Sequence, residues 1–272
     1  MGVPYTIVIP ARYASSRFPG KMLAPLLGRP MILHTLERAA ASSADEVIVA
    51  TDDDRIADVC RRAGARVEMT RTSHPSGTDR IAEVAGRLGW PADRAIVGLQ
   101  GDEPATPPER LDALAAQLAG HADADVATLC RAIGDEAEYS SAARVKVVRD
   151  ARGMALYFSR APIPWRRDPQ AGSAHPESWL HIGLYAYRAG FLPRYTAMSA
   201  CALEDEEKLE QLRVLYHGGR IHVTSVEGTD GQGVDHPDDV AAVERELRER
   251  FPSDHRAGPL CSGLHPIRTS SR

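Results

Sequence analysis

Three cations within one short stretch are the first residues of this chain whose types and spacing suggest chemistry. Arg12, Arg17 and Lys21 follow a β-branched apolar run, residues 6–9, which predicts a buried first strand that stops at Pro10. Small residues between the cations would let a ligand approach the backbone closely. Because an open α/β sheet binds anions beyond the carboxyl ends of its strands, the loop predicts an anion site. An ordinary solvated basic loop is the alternative.

The same stretch excludes the two common phosphate-binding loops. A Walker loop needs glycine at position 15 and serine or threonine at position 22, where Ser15 and Met22 stand. The dinucleotide pattern of three spaced glycines is absent from the loop as well. The loop is therefore a nucleotide loop of a third kind, or it does not bind a nucleotide.

A second stretch that could contact a ligand runs from residue 74 to residue 80. Pro75 and Gly77 predict a turn, and Ser76 or Thr78 can cap a helix over residues 79–88. A capped helix start exposes free backbone N–H groups, which suit a polar ligand. Capping alone would explain the same residues, so both interpretations stay open.

Acidic residues beyond strand ends are the candidates for metal binding. Residues 95–100 predict a buried strand, and Gly101 and Asp102 follow at its carboxyl end, in the crevice expected for the basic loop. Asp102 is therefore a candidate oxygen ligand for Mg²⁺. The acidic cluster at residues 52–54 could also hold a metal, but a capped helix start explains it better. Asp235, near a last predicted helix, could by itself be a helix-start acid.

The composition of the chain bounds its class. The 272 residues are 43% hydrophobic and 26% charged, enough for one large α/β domain or two small ones. A formal net charge of -4 argues against nucleic acid as a partner. The four cysteines are isolated, which favours a reducing cytoplasm over a zinc site or a disulfide framework. Without a signal segment or a long apolar run, we expect a soluble cytoplasmic protein with no membrane partner.

The order of the predicted elements indicates an α/β chain that changes character near residue 144. Before that point strands alternate with helices, and after it strand-like runs follow one another across turns or a proline-rich loop. Residues 203–216 predict one continuous helix with an acidic first turn. His181 and Tyr185, on a predicted strand of the second half, could simply be packing residues.

Seven short motifs occur together in a specific order. They are residues 10–21, 74–80, 100–104, 155–160, 181–187, 209–213 and 233–237. Each motif alone is weak, but the ordered set strongly resembles the 3-deoxy-D-manno-octulosonate (Kdo) cytidylyltransferases, the CMP-Kdo synthetases. The resemblance extends from about residue 5 to about residue 250 and leaves only the end of the chain uncovered.

The resemblance implies a fold and a reaction. The fold would be the Rossmann-like nucleotide-diphospho-sugar transferase fold, with a mixed, mostly parallel central sheet flanked by helices and an antiparallel second half. One domain, 1–251, would contain a nucleotide-binding half to about residue 143, an acceptor-binding and dimerisation half at about 144–226, and a returning C-terminal helix at 227–251, followed by a flexible tail at 252–272. The reaction would be Mg²⁺-dependent transfer of CMP from CTP to an acidic sugar, releasing pyrophosphate, in a homodimer that serves lipopolysaccharide biosynthesis.

The resemblance also assigns roles, position by position. The catalytic residues would be Lys21, Arg12, Asp102 and Asp235, with Asp102 and Asp235 holding Mg²⁺. The nucleotide would contact Ala11, Arg12, Lys21, Ser76, Thr78, Gln100 and Asp102. The acceptor pocket would contain Gln100, Arg160, His181, Tyr185, Glu210 and Gln211. Displacement at the α-phosphorus needs positioning and charge neutralisation more than covalent catalysis, which suits this set.

Departures from the family pattern bear mainly on the identity of the acid. Met22 stands where the family usually has proline, residues 140–143 replace an Asn-Pro-Asn segment, and residues 200–202 replace a Ser-Pro segment. The same chemistry on another acid, such as an amino-Kdo or phosphonoformate, is therefore an alternative, although Glu210 and Gln211 favour a hydroxyl-rich acceptor. An inactive nucleotide sensor is the alternative of another class.

Overall fold

The structure is a computed structural model that describes residues 3–15, 17–167, 178–228 and 230–252. The strands are β1 (Tyr5–Ala11), β2 (Pro25–Leu26), β3 (Arg29–Pro30), β4 (Glu46–Thr51), β5 (Arg66–Met69), β6 (Ala95–Gly98), β7 (Val126–Ala132), β8 (Lys146–Arg149), β9 (Ala155–Ser159), β10 (Trp179–Arg188) and β11 (Ile221–Ser225). The helices are α1 (Met31–Ala40), α2 (Asp54–Arg62), α3 (Gly77–Leu88), α4 (Pro108–Gly120), α5 (Glu136–Ser140), α6 (Leu192–Ala197), α7 (Ala202–Glu207), α8 (Gln211–Tyr216) and α9 (Val240–Arg250). Apart from residue 252, the predicted tail lies outside the described residues.

One mixed, mostly parallel sheet organises these elements, as the sequence predicts. Its strands follow the order β11-β7-β10-β6-β1-β4-β5. The pairs β1–β4, β1–β6, β4–β5 and β7–β11 are parallel, whereas β10 runs antiparallel to both β6 and β7. β8 pairs with the start of β10 and with β9, so the antiparallel part of the chain enters the centre of the sheet and also extends beside it.

Apolar residues on β1 hold helices against both faces of the sheet. Ile7 and Ile9 belong to one buried cluster, which includes residues of α1 and α4, and Val8 belongs to another, which includes residues of α3, α6 and α8. This is the two-residue alternation expected of a strand. Each fully buried side chain of this size contributes roughly 1.5–3 kcal/mol to the free energy of unfolding. No helix among the described residues combines the length and the hydropathy that a membrane span requires.

Two predicted boundaries are wrong. β1 does not stop at Pro10 but continues to Ala11, because loss of a single N–H at a strand end is tolerated and the Pro10 carbonyl still accepts from Gly101 N at 3.3 Å. The predicted continuous helix over residues 203–216 is interrupted: α7 ends before Lys208, whose φ of 53° is left-handed, and α8 starts at Gln211. Tertiary contacts of Glu207, described below, override the helical pattern at this point.

Candidate functional site

A backbone hydrogen bond closes the basic loop after β1, directly before Lys21. Gly20 N donates to Tyr13 O at 3.0 Å, and Gly20 adopts a left-handed φ of 72°, which glycine reaches without strain. A Cβ at this position would also lie 3.1 Å from the Tyr13 ring. The closed loop places Lys21 at the start of a 3-10 turn with its side chain buried.

Lys21 lies between two carboxylates that are far apart in the sequence. Its ammonium forms an ion pair with Asp102 and lies 3.8 Å from an Asp235 oxygen. The backbone joins the two acids, since Val234 N donates to Asp102 O at 2.9 Å and Lys21 Nζ donates to Val234 O at 3.2 Å. The structure therefore brings Asp102 and Asp235 together in front of the basic loop.

Negative charge accumulates around Lys21, and the carboxylate oxygens there are suitable ligands for a hard cation. Burial, followed by the charges of Asp102 and Asp235, raises the pKa of Glu103 to about 8. Arg17 offsets part of that charge through a 2.7 Å ion pair with Asp235. Two carboxylates are the type of ligand that Mg²⁺ takes from proteins, with phosphates and water completing its shell. No group of three potential metal ligands occurs within the described ranges, so the chain itself would supply two.

A cavity of about 380 Å³ opens beside Lys21, within the range typical of small-molecule sites. All the residues predicted to contact the nucleotide line it: Ala11, Arg12, Lys21, Ser76, Thr78, Gln100 and Asp102. Of the two predicted N-cap candidates, Ser76 caps α3 and accepts from Asp79 N at 3.2 Å, whereas Thr78 lies within the first turn. Gly77 lets the helix start approach Gln100 closely, since a Cβ there would lie 3.0 Å from the Gln100 amide and would require it to shift.

Two side chains that shape this cavity were not predicted from the sequence. Arg80, on the first turn of α3, is buried and donates to Asp52 Oδ2 at 2.8 Å and to Thr70. His74 is bound to Glu83, whose pKa falls to about 2 because that bond and other cationic partners outweigh its burial. Both line the cavity. The signal available in the sequence was their place within the 74–80 motif, but their partly buried carboxylate partners lie outside that motif.

The acceptor end is built on β10. A second cavity of about 250 Å³ contains His181 and shares Tyr185, Leu209 and Gln211 with the first. Thr128 Oγ1 lies 2.7 Å from Leu184 O and 2.9 Å from His181 Nε2. Its single hydroxyl proton is taken by the carbonyl, so His181 Nε2 must donate and Nδ1 is left as an acceptor. Burial keeps this imidazole neutral by lowering its pKa to about 3.

Glu210 and Gln211 enter the cleft because the helix is interrupted before them. Both line the nucleotide cavity. Glu210 accepts from Tyr195 OH at 3.3 Å, and desolvation inside the cleft raises its pKa. Gln211 is only 7% exposed, and among the described residues its Nε2 has no hydrogen-bond partner. A buried amide donor without a partner is costly and is commonly satisfied by a ligand.

Arg160 is the predicted acceptor residue that lies apart from the others. It lines neither the nucleotide cavity nor the acceptor cavity, nor the cavity that adjoins them at Asp235. Its guanidinium donates instead to Glu207 O at 2.8 Å and to Ala142 O at 3.1 Å. Asp235 lies across Lys21 from the nucleotide cavity and lines an adjoining cavity together with Asp102. A direct contact of Arg160 with the acceptor stays a prediction.

The departures from the family pattern are accommodated by packing. Met22 is buried against Gly101, where a Cβ would lie 2.8 Å from its sulfur. Cys201 is buried at the start of α7, and Glu204 two residues into that helix forms a double ion pair with Arg213 at 2.6 and 2.7 Å. None of the described departures removes a residue assigned to the nucleotide or the metal.

Comparisons with known proteins agree along most of the chain. The family model described as "Cytidylyltransferase" matches residues 6–221. A "3-deoxy-manno-octulosonate cytidylyltransferase" of Alkalilimnicola ehrlichii is 55% identical over 93% of this chain and 99% of its own length. The protein of the same description from Thioalkalivibrio sulfidiphilus is 53% identical over 90% of this chain and 99% of its own.

Solved structures share the architecture. The structure of a CMP:2-keto-3-deoxy-manno-octonic acid synthetase complexed with CTP superposes with a TM-score of 0.82 at 40% identity, covering 90% of this chain and 98% of the other. A glucose-1-phosphate thymidylyltransferase from Bacillus anthracis, described as putative in its own name, has a TM-score of 0.61 at 12% identity over 90% and 96% of the two chains, which shows the fold alone. The chain is therefore a nucleotidyltransferase that belongs to the 3-deoxy-manno-octulosonate cytidylyltransferase family.

Proposed function

We propose that this protein transfers CMP from CTP to 3-deoxy-D-manno-octulosonate, with Mg²⁺, and releases pyrophosphate for lipopolysaccharide biosynthesis in the cytoplasm. The observation that carries the proposal is the convergence of Asp102 and Asp235 on Lys21 at one end of a cleft whose other end holds His181, Tyr185 and Gln211. The named activities of relatives that match at 53–55% identity support the choice of acid.

The nucleotide end would bind CTP through cations and a helix start. Arg12 and Lys21 would neutralise the phosphates, since guanidinium and ammonium groups form strong charge-assisted bonds to phosphate oxygens. Ser76 and Thr78, with the first N–H groups of the twelve-residue helix α3, would lie at the polar edge of the base. Asp102 and Asp235 would hold Mg²⁺, which would neutralise charge on the triphosphate.

The acceptor end would orient the attacking hydroxyl. That oxygen forms a bond to the α-phosphorus, the bond from that phosphorus to the pyrophosphate oxygen breaks, and the hydroxyl proton leaves to solvent. Neutral His181 would accept a hydrogen bond from a sugar hydroxyl at Nδ1, and Gln211 Nε2 would donate one. Holding two reactants at bonding distance can lower a barrier by roughly 7–11 kcal/mol, so positioning is the main contribution of these residues.

A pyrophosphate-release assay tests the proposal. CTP and Mg²⁺ are supplied with Kdo, an amino-Kdo or phosphonoformate, and ATP, GTP and UTP replace CTP as controls. We expect the highest kcat/KM with CTP and Kdo. A higher kcat/KM with phosphonoformate would overturn the choice of acid. CTP binding without release from any acid would favour a nucleotide sensor instead of an enzyme.

Homodimerisation is part of the same proposal. Leu156 on β9 and Trp165 in the loop that follows are 62% and 79% exposed. A contiguous patch of exposed apolar side chains marks an interface, and we propose that these two residues belong to one. Light scattering on the purified chain should give twice the mass of one chain, and glutamate at both positions should shift the population towards the monomer. An unchanged monomer mass before and after substitution would refute it.

A further inference from the structure

Lys146 is a fully buried lysine whose ammonium is held by backbone carbonyls. The residue is 0% exposed, and its Nζ donates to Ser141 O at 2.8 Å, Arg144 O at 2.6 Å and Arg160 O at 2.5 Å. Three acceptors use all three hydrogens of an ammonium group. A buried charge is costly unless it is fully hydrogen-bonded, so this arrangement fixes the three carbonyls with respect to one another.

Glu207 holds the same region from the opposite side. Its carboxylate accepts from Ser159 Oγ at 2.5 Å and from Arg160 N at 2.8 Å, and its own carbonyl accepts from Arg160 Nε at 2.8 Å. Glu207 is the last residue of α7, directly before the left-handed Lys208. The contacts of Glu207 therefore fix the point at which the predicted continuous helix is interrupted.

The two segments that this pair immobilises form walls of the acceptor cavity. Ala143, Arg144 and Val145 follow the carbonyl of Ser141, and Leu209 and Gln211 follow Glu207; all five line that cavity. The backbone also connects the first segment to β10, because His181 N donates to Val145 O at 2.8 Å. Lys146 and Glu207 themselves line neither the nucleotide cavity nor the acceptor cavity, nor the adjoining cavity at Asp235.

We propose that Lys146 and Glu207 are positioning residues that set the shape of the acceptor cavity without touching the acid. They act through the main chain at Arg160, whose N–H and C=O are held from the two sides, and so tie the 141–145 loop to the helix interruption at 208–210. The 141–145 loop lines the acceptor cavity alone, whereas the 208–211 segment also borders the nucleotide cavity. Because the residues predicted to contact the nucleotide lie on or beside β1, α3 and β6, the pair should affect the acceptor more than CTP. This inference rests on the proposed function.

Lys146→Met and Glu207→Gln, alone and together, test it. Methionine conserves the length of the side chain but donates no hydrogen bond, and glutamine keeps only one of the two carboxylate acceptors. We expect each single variant to raise the KM for Kdo at least tenfold while the KM for CTP changes less than threefold. Since both residues hold the same main-chain segment, the double variant should be little worse than the worse single variant.

Glu206→Gln is the matched control, because Glu206 is an exposed neighbour on the same helix, and it should leave both KM values unchanged. Hydrogen exchange adds a readout that does not depend on activity: amides of residues 141–145 and 207–211 should exchange faster in the variants than in the wild type. A folded Glu207→Gln protein would overturn the inference if its KM for Kdo were unchanged or if both KM values rose equally. If Lys146→Met does not fold, Glu207→Gln alone decides. Wild-type protein that releases no pyrophosphate would instead refute the proposed function, and exchange would still test the positioning role.

Discussion

Replacing Gln211 by leucine should make the protein more stable and less active at the same time. The amide is 7% exposed, and within the described chain its Nε2 has no partner. Leucine has a similar size, favours a helix and carries no polar atom, so it removes the unsatisfied donor at the first residue of α8. The same change removes the hydrogen bond that we propose Gln211 donates to the acid.

The magnitude follows from the cost of an unpaired group. A buried donor without a partner costs about 1–3 kcal/mol of unfolding free energy. Because Gln211 lies beside a cavity, removing its amide should recover an amount at the lower end of this range. A gain of about 1 kcal/mol corresponds to a rise of about 2–4 °C in Tm for a domain of this size. With substrate bound, leucine leaves a sugar hydroxyl unpaired, so kcat/KM for Kdo should fall about 5- to 150-fold.

Thermal unfolding and steady-state kinetics on the same preparation measure both effects. Gln117→Leu provides the control, since Gln117 lies partly buried on α4, away from the cleft. The control should neither raise Tm nor change kcat/KM for Kdo. A lowered Tm for Gln211→Leu would show that the protein itself satisfies the amide. An unchanged kcat/KM for Kdo would show that the amide does not serve the acceptor.

Three further changes test other parts of the site. Asp235→Asn should lower kcat roughly 100- to 1,000-fold, as loss of one electrostatic group does in other sites; since Asp235 is 55% exposed, the free energy of unfolding should change by less than about 1 kcal/mol in urea titrations. The pKa of His181 is about 3 in the folded protein and 6.5 in the unfolded chain, so its contribution to stability is fully present above pH 6.5 and is lost as the pH falls from 6.5 towards 3. In urea titrations, His181→Gln should therefore reduce the loss of unfolding free energy between pH 7 and pH 5 by about 1–2 kcal/mol. An unchanged loss would contradict the neutral imidazole. Gly101→Ala should destabilise by about 1–3 kcal/mol, since its Cβ would lie 2.8 Å from the Met22 sulfur, and a neutral effect would mean that Met22 moves freely.

Local patterns were sufficient to predict most of the sheet and the start of α3. Burial of β1 and β4 follows from their continuous β-branched runs. The cap of α3 is local as well, because Ser76 accepts from the backbone N–H of Asp79, three residues away. These features are determined by neighbours in the sequence. The fold class was confirmed for that reason, together with the resemblance.

Contacts between distant segments could not be predicted in the same way. The interruption at Lys208 depends on Glu207 reaching Ser159 and Arg160, which no helical periodicity contains. Likewise, the pairing of Arg80 with Asp52 joins two loops whose separation only the folded sheet defines. The convergence of Asp102 and Asp235 was expected from the resemblance, because spacing alone made Asp235 no more than a helix-start acid.

The antiparallel strand β10 connects the two ends of the cleft through a single piece of extended backbone. Tyr187 lines the nucleotide cavity, Tyr185 lines both cavities and His181 lines the acceptor cavity. Tyr185 and Tyr187 pair with both β6 and β7, and His181 pairs with β7 on the other side of a register shift between Ile182 and Tyr185. The sheet therefore fixes the spacing of these side chains, which cannot adjust to the size of the acid. Selection for acceptors of other lengths would therefore act on the 141–145 loop and the 208–211 segment, and relatives that use different acids should differ there while β10 stays the same.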